Sequence, residues 1–279
     1  MYPTLFTIGS THVSSFSIFL ILAWCVFSFV FWKSLRDDAV LEEHIFDLTF
    51  YGTITAFMAA RVWFVTIHWT NFSSAFIKII ALWVAPGLSL LAGVTVGLGI
   101  IMMAARRMKI RLGTVLDGLG VALPGALIVG SVGSLLDGGS IGKVTNVAWA
   151  VRYVGVGEPR HPVQLYMIAS LVFILIIVGI VSENAPKKKW PLGSAGVTFF
   201  FLWPIAVFAL EFFREGDVYW YGISADGWGA LILFFGALGV WLSYAGGKHI
   251  VIDRVKAARA GIIRLAQNIY AKLSKRRPQ

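Results

Sequence analysis

The sequence predicts an all-α, polytopic membrane protein with about seven transmembrane helices, and two observations support this fold class. The first is composition: 58% of the 279 residues are hydrophobic and only 14% are charged, whereas a soluble domain carries about 25% charged residues. The second is the recurrence of apolar runs of roughly 20 residues, the length that crosses a hydrocarbon core. We expect these runs to be helices because lipid offers no hydrogen-bond partner to an unpaired backbone group.

Seven apolar runs are long enough to span the bilayer. They cover residues 15–32, 45–66, 84–105, 114–136, 164–182, 194–213 and 227–245. The run 72–83 is too short to span and too apolar for a free loop, so we expect a half-helix or an interfacial segment there. The spans form one predicted transmembrane domain, residues 1–246, and a basic tail follows at residues 247–279.

Basic residues predict the orientation of the spans. Of the 24 Lys and Arg residues, 18 lie in the first, third and fifth connections and in the tail, five lie in the other connections, and Arg61 lies inside the second span. Because cytoplasmic loops carry the excess of Lys and Arg, we expect the N-terminus outside and the C-terminus in the cytoplasm. An odd number of spans agrees with termini on opposite sides of the membrane.

The tail combines a basic face with an apolar one. Its apolar residues recur at helical spacing, namely Val251, Val255, Ala258, Ile262, Leu265, Ile269 and Leu273. A helix of this kind lies on an anionic membrane surface. Because the membrane already supplies an acidic partner, we expect the partner of this tail to be lipid and not nucleic acid.

Charged and polar residues gather toward the predicted outer side. Charges at membrane depth are costly and tend to mark functional sites. They lie near the outer ends of three spans or in the fourth connection: Arg61, Asp137, Arg160, His161, Glu211 and Arg214. Local explanations stay open, since Arg61 can reach lipid headgroups and Glu211 can pair with Arg214 three residues later. Asp117 is predicted as a charge at the N-terminus of its own helix, outside this site.

The stretch PRHPVQLY, residues 159–166, concentrates polar groups just before the fifth span. Pro162 favours a helix that starts at or after it, which places Gln164 and Tyr166 in the first turn. A helix N-terminus beside the guanidinium of Arg160 suits a headgroup phosphate. An interfacial belt of His and Tyr explains the same pattern without a ligand, and both interpretations stay open.

Several motifs resemble those of the prolipoprotein diacylglyceryl transferase family. PRHPVQLY resembles its PRHPSQLYE signature, ALEFFRE (209–215) resembles its VEFFR, AARVWFV (59–65) resembles its GGRIGYV, and residues 117–143 follow its long signature element without gaps. The resemblance implies transfer of a diacylglyceryl group from phosphatidylglycerol, or another anionic phospholipid, to the lipobox cysteine of a prolipoprotein. It also implies a multi-pass protein of the bacterial plasma (inner) membrane that binds a signal peptide and needs no cofactor or metal.

The resemblance further implies which residues form the site. The catalytic residues would be His161, Glu211 and Arg214. The substrate-binding residues would be Arg61, Ser131, Ser134, Asp137, Gly142, Arg160, Gln164 and Tyr166.

The chain departs from the family pattern at several of its polar positions. Ser131 and Val207 stand where the family has arginines, Ser134 where it has an asparagine, and Leu91 where it has a histidine. A site that lacks these groups binds a phosphate with fewer charges. The alternative function is therefore a catalytically impaired homologue that binds lipid or lipoprotein signal segments, or that partners an active enzyme.

Overall fold

The computed structural model of the chain divides into two compact units, residues 1–237 and 238–279. It describes residues 4–8, 11–73, 76–81, 85, 87–153, 155–216 and 219–244. The second unit is described only from its start to residue 244, so the predicted basic tail lies outside the described residues. The predicted domain boundary and the amphipathic tail stay predictions.

The described residues contain seven helices that are long and apolar enough to cross a membrane, which confirms the polytopic fold. They are α1 (Ser15–Asp37), α2 (Glu42–Ile67), α5 (Leu90–Arg107), α6 (Leu112–Asp137), α7 (Val163–Lys187), α8 (Ser194–Glu211) and α9 (Ala225–Leu242). Two single-turn helices, α3 (Trp69–Phe72) and α4 (Ile77–Ile80), lie between α2 and α5.

The third span is shorter than predicted because a folded segment precedes it. The sequence placed its start at residue 84, whereas α5 begins at Leu90, after Ser89 in an extended conformation. Within residues 72–83, predicted as a half-helix or an interfacial segment, the described residues contain the one-turn helix α4, and α3 ends at Phe72. The backbone N–H of Ser89 donates to the carbonyl of Ala60, so the chain is tied to α2 before α5 begins.

Three small antiparallel sheets are additions that the all-α prediction did not contain. They pair β1 (Thr4–Ile8) with β2 (Thr11–Ser14), β3 (Val151–Arg152) with β4 (Pro159–Arg160), and β5 (Tyr219–Trp220) with β6 (Ile223–Ser224). All three lie outside the spans. Strands β3 to β6 have only two residues each, which leave no alternating pattern long enough to recognise in a sequence, whereas β1 and β2 have five and four.

Helix α6 packs against α1, α7 and α8, and α2 packs against α5. The core includes the fully buried Trp203, whose ring stacks on Phe199 with centroids 5.5 Å apart. At the crossing of α6 and α8, a Cβ atom on Gly120 would lie only 2.5 Å from the Cα of Gly196. Glycine at both positions lets the helices approach closely. Close approach increases the van der Waals contacts that hold helices together in lipid.

Asp117 stabilises α8 and not the start of its own helix, which corrects the sequence prediction. Its carboxylate accepts hydrogen bonds from the backbone N–H groups of Gly193, Ala195 and Gly196, at 2.6, 2.8 and 3.1 Å. The residue that precedes α8 is Gly193, which has no side chain to cap the helix. A helix N-terminus leaves its first N–H groups unpaired, and here the neighbouring helix supplies the acceptor.

Helices α1, α5 and α7 end in the same way. Each is followed by a non-glycine residue with positive φ: Ala39 (58°), Lys109 (58°) and Lys189 (53°). The next residue donates its N–H to a carbonyl five residues earlier, in the pairs Val40–Leu35, Ile110–Ala105 and Trp190–Ala185. This is the Schellman arrangement, in which glycine is usual at the left-handed position.

Candidate active site

The connection between α6 and α7 folds against the segment that follows α8. Residues 141–145 lie between residues 159–161 on one side and residues 213–215 on the other. The N–H of Lys143 donates to the carbonyl of Phe213 at 2.8 Å, and the N–H of His161 donates to the carbonyl of Lys143 at 3.1 Å. This backbone pairing brings the start of α7 and the end of α8 together.

Gly142 makes this pairing possible. A Cβ atom at Gly142 would collide with the backbone carbonyl of His161, so only glycine fits at this position. The carbonyl oxygen of Gly142 accepts a hydrogen bond of 3.1 Å from the guanidinium of Arg160. Gly142 therefore positions Arg160 and His161, and its predicted role in substrate binding stays a prediction.

Arg160 is largely buried and forms an ion pair with Glu215. Its side chain is 15% exposed, whereas that of Glu215 is 58% exposed. Its Nε atom is buried and has no hydrogen-bond partner within the described residues. A buried N–H without an acceptor is costly, and here it belongs to a cation whose ion-pair partner, Glu215, is exposed.

Arg214 joins α8 to α9 through two carboxylates. Its guanidinium lies 2.7 Å from Oδ2 of Asp226, in the first turn of α9, and 3.4 Å from Oε1 of Glu211. The local pairing of Glu211 with Arg214 is thus present, but the shorter contact is with Asp226. The side chain of Glu211 is only 12% exposed, and that of Arg214 is 35% exposed.

An aromatic cluster surrounds His161. Its Nδ1 atom lies 3.1 Å from the hydroxyl of Tyr166, which also accepts a hydrogen bond of 2.7 Å from Nε1 of Trp149. The ring of Phe213 contacts both His161 and Tyr166 edge-on, with centroid distances of 5.2 and 6.0 Å. The imidazole is therefore oriented by one hydrogen bond and by ring contacts with Phe213 and Tyr166.

Gln164 anchors the loop at the first turn of α7. It is buried, its Nε2 donates to the carbonyl of Ser140 at 2.5 Å, and its Oε1 accepts from the hydroxyl of Tyr153 at 2.9 Å. Burial, together with the neighbouring Tyr166, raises the pKa of Tyr153 above its ordinary value, so the phenol remains a donor. Gln164 thus ties the start of α7 to two points of the loop, at Ser140 and Tyr153, and has few groups left for a substrate.

Ser131, Ser134 and Asp137 occupy the last two turns of α6. All three are half-buried, and none of their side chains forms a hydrogen bond within the described residues. The backbone carbonyl of Ser134 accepts from Gly138 and Gly139, which closes the helix with Gly138 in the left-handed region. Their predicted contact with a substrate stays a prediction.

Arg61 has a different environment from the other predicted residues. It is buried, and its three nitrogens donate to the backbone carbonyls of Lys78, Ile79 and Gly87 at 2.6, 2.8 and 2.9 Å. Its guanidinium also lies 5.1 Å from the ring centre of Phe72. Arg61 therefore does not snorkel toward headgroups; it fixes the segment between α2 and α5.

An apolar groove of about 470 Å³ lies between α8 and α9. Its lining residues are Pro204, Ile205, Phe208, Ala209, Phe212, Phe213, Ala230, Leu231 and Phe234. Phe213 belongs both to this groove and to the cluster around His161. The groove thus adjoins the cluster around His161 at Phe213.

Sequence reasoning missed Glu215, Asp226, Trp149, Tyr153 and Phe213. Asp226 had a recognisable signal, because it is an acidic residue in the first turn of an apolar span. Glu215 directly follows the predicted Arg214, but its partner Arg160 is distant in sequence. Within the described ranges, no group of three or more His, Cys, Asp or Glu side chains is arranged to hold a metal ion.

Comparison with known proteins decides the family. The model of the family described as prolipoprotein diacylglyceryl transferase matches residues 3–243, which is most of the chain. The chain belongs to this family. The resemblance of the individual motifs is thereby confirmed at the level of the whole transmembrane sequence.

Relatives of the prolipoprotein diacylglyceryl transferase family match over most of their own length. A phosphatidylglycerol–prolipoprotein diacylglyceryl transferase of Aeromonas salmonicida (strain A449) is 28% identical over 87% of this chain and 90% of its own. Proteins of the same name are 27% identical in Geobacter sulfurreducens, over 77% of this chain and 83% of theirs, and in Tropheryma whipplei (strain Twist), over 83% and 86%.

Proposed function

We propose that this protein transfers a diacylglyceryl group from phosphatidylglycerol to the cysteine thiol of a prolipoprotein. The observation that carries the proposal is the placement of Arg160 and Arg214 on either side of residues 141–145, beside His161. The names of the relatives support the same activity. The protein acts in the bacterial plasma membrane, with this site on the outer face, which the distribution of Lys and Arg supports.

The reaction needs a cationic site for a leaving phosphate and a base for a thiol. The cysteine sulfur attacks the glycerol carbon that carries the phosphate, a C–S bond forms as the C–O bond breaks, and glycerol phosphate leaves with the electron pair. The thiol proton passes to the protein. Fixed positive groups near the leaving oxygen are worth several kcal/mol in such a step.

Arg160 and Arg214 supply the positive groups. Each is already paired with a carboxylate: Arg160 with Glu215, whose side chain is 58% exposed, and Arg214 with Asp226, whose side chain is 29% exposed. The lipid phosphate takes the place of the exposed Glu215 carboxylate on Arg160. Arg214 stays oriented by Glu211 and Asp226 while it faces the phosphate.

His161 receives the thiol proton. With its Nδ1–H donated to Tyr166, the other ring nitrogen is the acceptor. Tyr166 can accept from both His161 and Trp149 because a phenol oxygen has two lone pairs. Glu211 acts through Arg214, whose guanidinium it holds.

The direct test measures transfer of labelled diacylglycerol to a lipobox peptide by purified protein in phosphatidylglycerol vesicles. We expect the native chain to be active, and Arg214→Gln and His161→Ala each to lose about 10²-fold in rate or more. Arg152→Gln is the matched control, since Arg152 is exposed and outside the cluster, and we expect it to retain activity. No transfer by the native chain would contradict the proposal.

The groove between α8 and α9 receives one acyl chain of the lipid. Ala209→Trp fills the groove. We expect it to raise the KM for a long-chain phosphatidylglycerol roughly tenfold, because the acyl chain then loses its favourable contacts with the groove. A short-chain donor should be much less affected. Ile176→Trp is the control, because Ile176 is a 56% exposed residue on α7, away from the groove. Equal effects of the two substitutions would remove the groove from the proposal.

A second function is favoured by the charges of the site. Ser131 and Val207 replace two arginines of the family pattern, and Arg160 and Arg214 both carry carboxylate partners. A homologue that binds lipid or a signal segment without transfer fits these features. Cells depleted of their own transferase distinguish the two functions: restored growth on expression of this chain supports the enzyme, and binding without growth supports the homologue.

A further inference from the structure

The tip of the β5–β6 hairpin carries an aromatic side chain that the protein leaves uncovered. Tyr221 is 99% exposed, and the neighbouring Trp220 is 45% exposed. The hairpin lies in the connection between α8 and α9, after Arg214 and before Asp226. An amphipathic aromatic pair at the end of two spanning helices suggests a surface that contacts something other than water.

The backbone makes this tyrosine an unfavourable choice for a turn. Tyr221 and Gly222 have φ values of 53° and 79°, and they connect the paired residues Trp220 and Ile223. Two-residue hairpin turns with positive φ at both positions favour Asn, Asp or Gly, because a larger L-residue is strained there. The ring gains no cover from the described residues, so contacts with them do not offset this strain.

The base of the hairpin is held firmly, so its tip has a defined position. Nε1 of Trp228 donates to the carbonyl of Trp220 at 3.1 Å, and the ring of Trp63 contacts the ring of Trp220 edge-on at 6.5 Å. The hydroxyl of Ser224 accepts from the N–H of Gly227 in the first turn of α9, at 2.9 Å. The hairpin is thereby fixed to both α2 and α9.

The tip lies close to the end of a helix long enough to span the membrane. Helix α9 has 18 residues, about 27 Å at 1.5 Å per residue, which is close to the hydrocarbon thickness of about 30 Å. Tyr221 is three residues from Ser224, the residue before this helix, so it stands no more than about 10 Å beyond the helix end. Tyr and Trp are enriched at the membrane–water interface because their rings are apolar and their tips are polar.

We propose that the β5–β6 hairpin is an interfacial anchor, in which Tyr221 and Trp220 insert into the boundary between lipid headgroups and acyl chains. The partner is the lipid surface itself, and the anchor does not depend on the transferase activity. It holds the connection between Arg214 and Asp226 at headgroup depth, the level at which a phospholipid phosphate lies.

The test places a fluorine probe on the native ring. We replace Tyr221 with 3-fluorotyrosine in the full chain, in vesicles of phosphatidylethanolamine and phosphatidylglycerol, and measure ¹⁹F broadening by dissolved oxygen and by a water-soluble nickel chelate. Oxygen concentrates in lipid and the chelate in water. The same probe at Tyr51, which is 51% exposed and inside α2, reports the hydrocarbon. The probe at Glu158, exposed in the loop between α6 and α7, reports water.

We expect the oxygen-to-nickel ratio at position 221 to lie between those of the two controls and severalfold above that at position 158. A ratio equal to that at position 158 would place the ring in water and overturn the proposal. Protection from both reagents would also overturn it, because it would mean that a protein partner or a second copy of this chain covers the hairpin. At positions 221 and 51, 3-fluorotyrosine keeps the native ring and hydroxyl, and Glu158 is exposed in a loop, so loss of the fold does not confuse the outcome.

Discussion

Asp117 is a single residue whose contribution to stability can be measured. Its carboxylate satisfies three N–H groups at the start of α8. We expect Asp117→Ala to lower the free energy of unfolding by about 2–3 kcal/mol, because these donors lose a charged acceptor away from water. Asp117→Asn keeps one acceptor and should cost less. Thermal unfolding in detergent checks the order, and an Asn variant less stable than the Ala variant would contradict it.

Arg61 shows how a residue predicted for the site can have a structural role that the sequence does not reveal. The sequence identified it because a guanidinium inside a span is costly unless it is paired. Its partners are three backbone carbonyls of residues 78–87. Because every residue has a carbonyl, the sequence does not show which of them accept these hydrogen bonds. In contrast, Arg160, His161, Gln164 and Tyr166 could be predicted together, because they belong to one short motif.

At the scale of elements, the repeated helix ends give a prediction about stability. Ala39 is exposed and occupies the left-handed position after α1. We expect Ala39→Gly to stabilise the protein by about 1 kcal/mol, because an L-residue is strained at positive φ. For a chain of this size the unfolding temperature should rise by roughly 2–4 °C. Ala104→Gly, inside α5, is the control and should lower it; a decrease for both variants would contradict the prediction.

The spans were predictable as elements, whereas the short strands were not. Six of the helices begin within three residues of their predicted starts, and α5 begins six residues late. Hydropathy indicates which residues face lipid. It does not indicate where a backbone group forms a hydrogen bond with another element, as the N–H of Ser89 does before α5. The β3–β4 pair forms because the loop returns to Arg160, and the β5–β6 pair because the chain must reverse between two helices.

At the scale of the whole molecule, the orientation is the prediction to test. In a Cys25→Ser background, which removes the lone cysteine, we expect Glu158→Cys to react with an impermeant maleimide on intact cells. Lys188→Cys, exposed at the other end of α7, should react only after permeabilisation. The reason is the excess of Lys and Arg in the connections on the side of residue 188. The reverse labelling pattern would place the candidate site in the cytoplasm.

The sequence by itself determined that this is a membrane protein of seven spanning helices, because the bilayer imposes length and hydropathy on each span separately. It also determined the family, through motifs that are local in the chain. Only the tertiary structure decided which charges meet. Arg214 is close to Asp226, Arg160 is paired with Glu215, and Asp117 caps α8 because helix packing and loop pairing bring these groups within hydrogen-bond reach. Such distances depend on several elements at once, so no single stretch of sequence contains them.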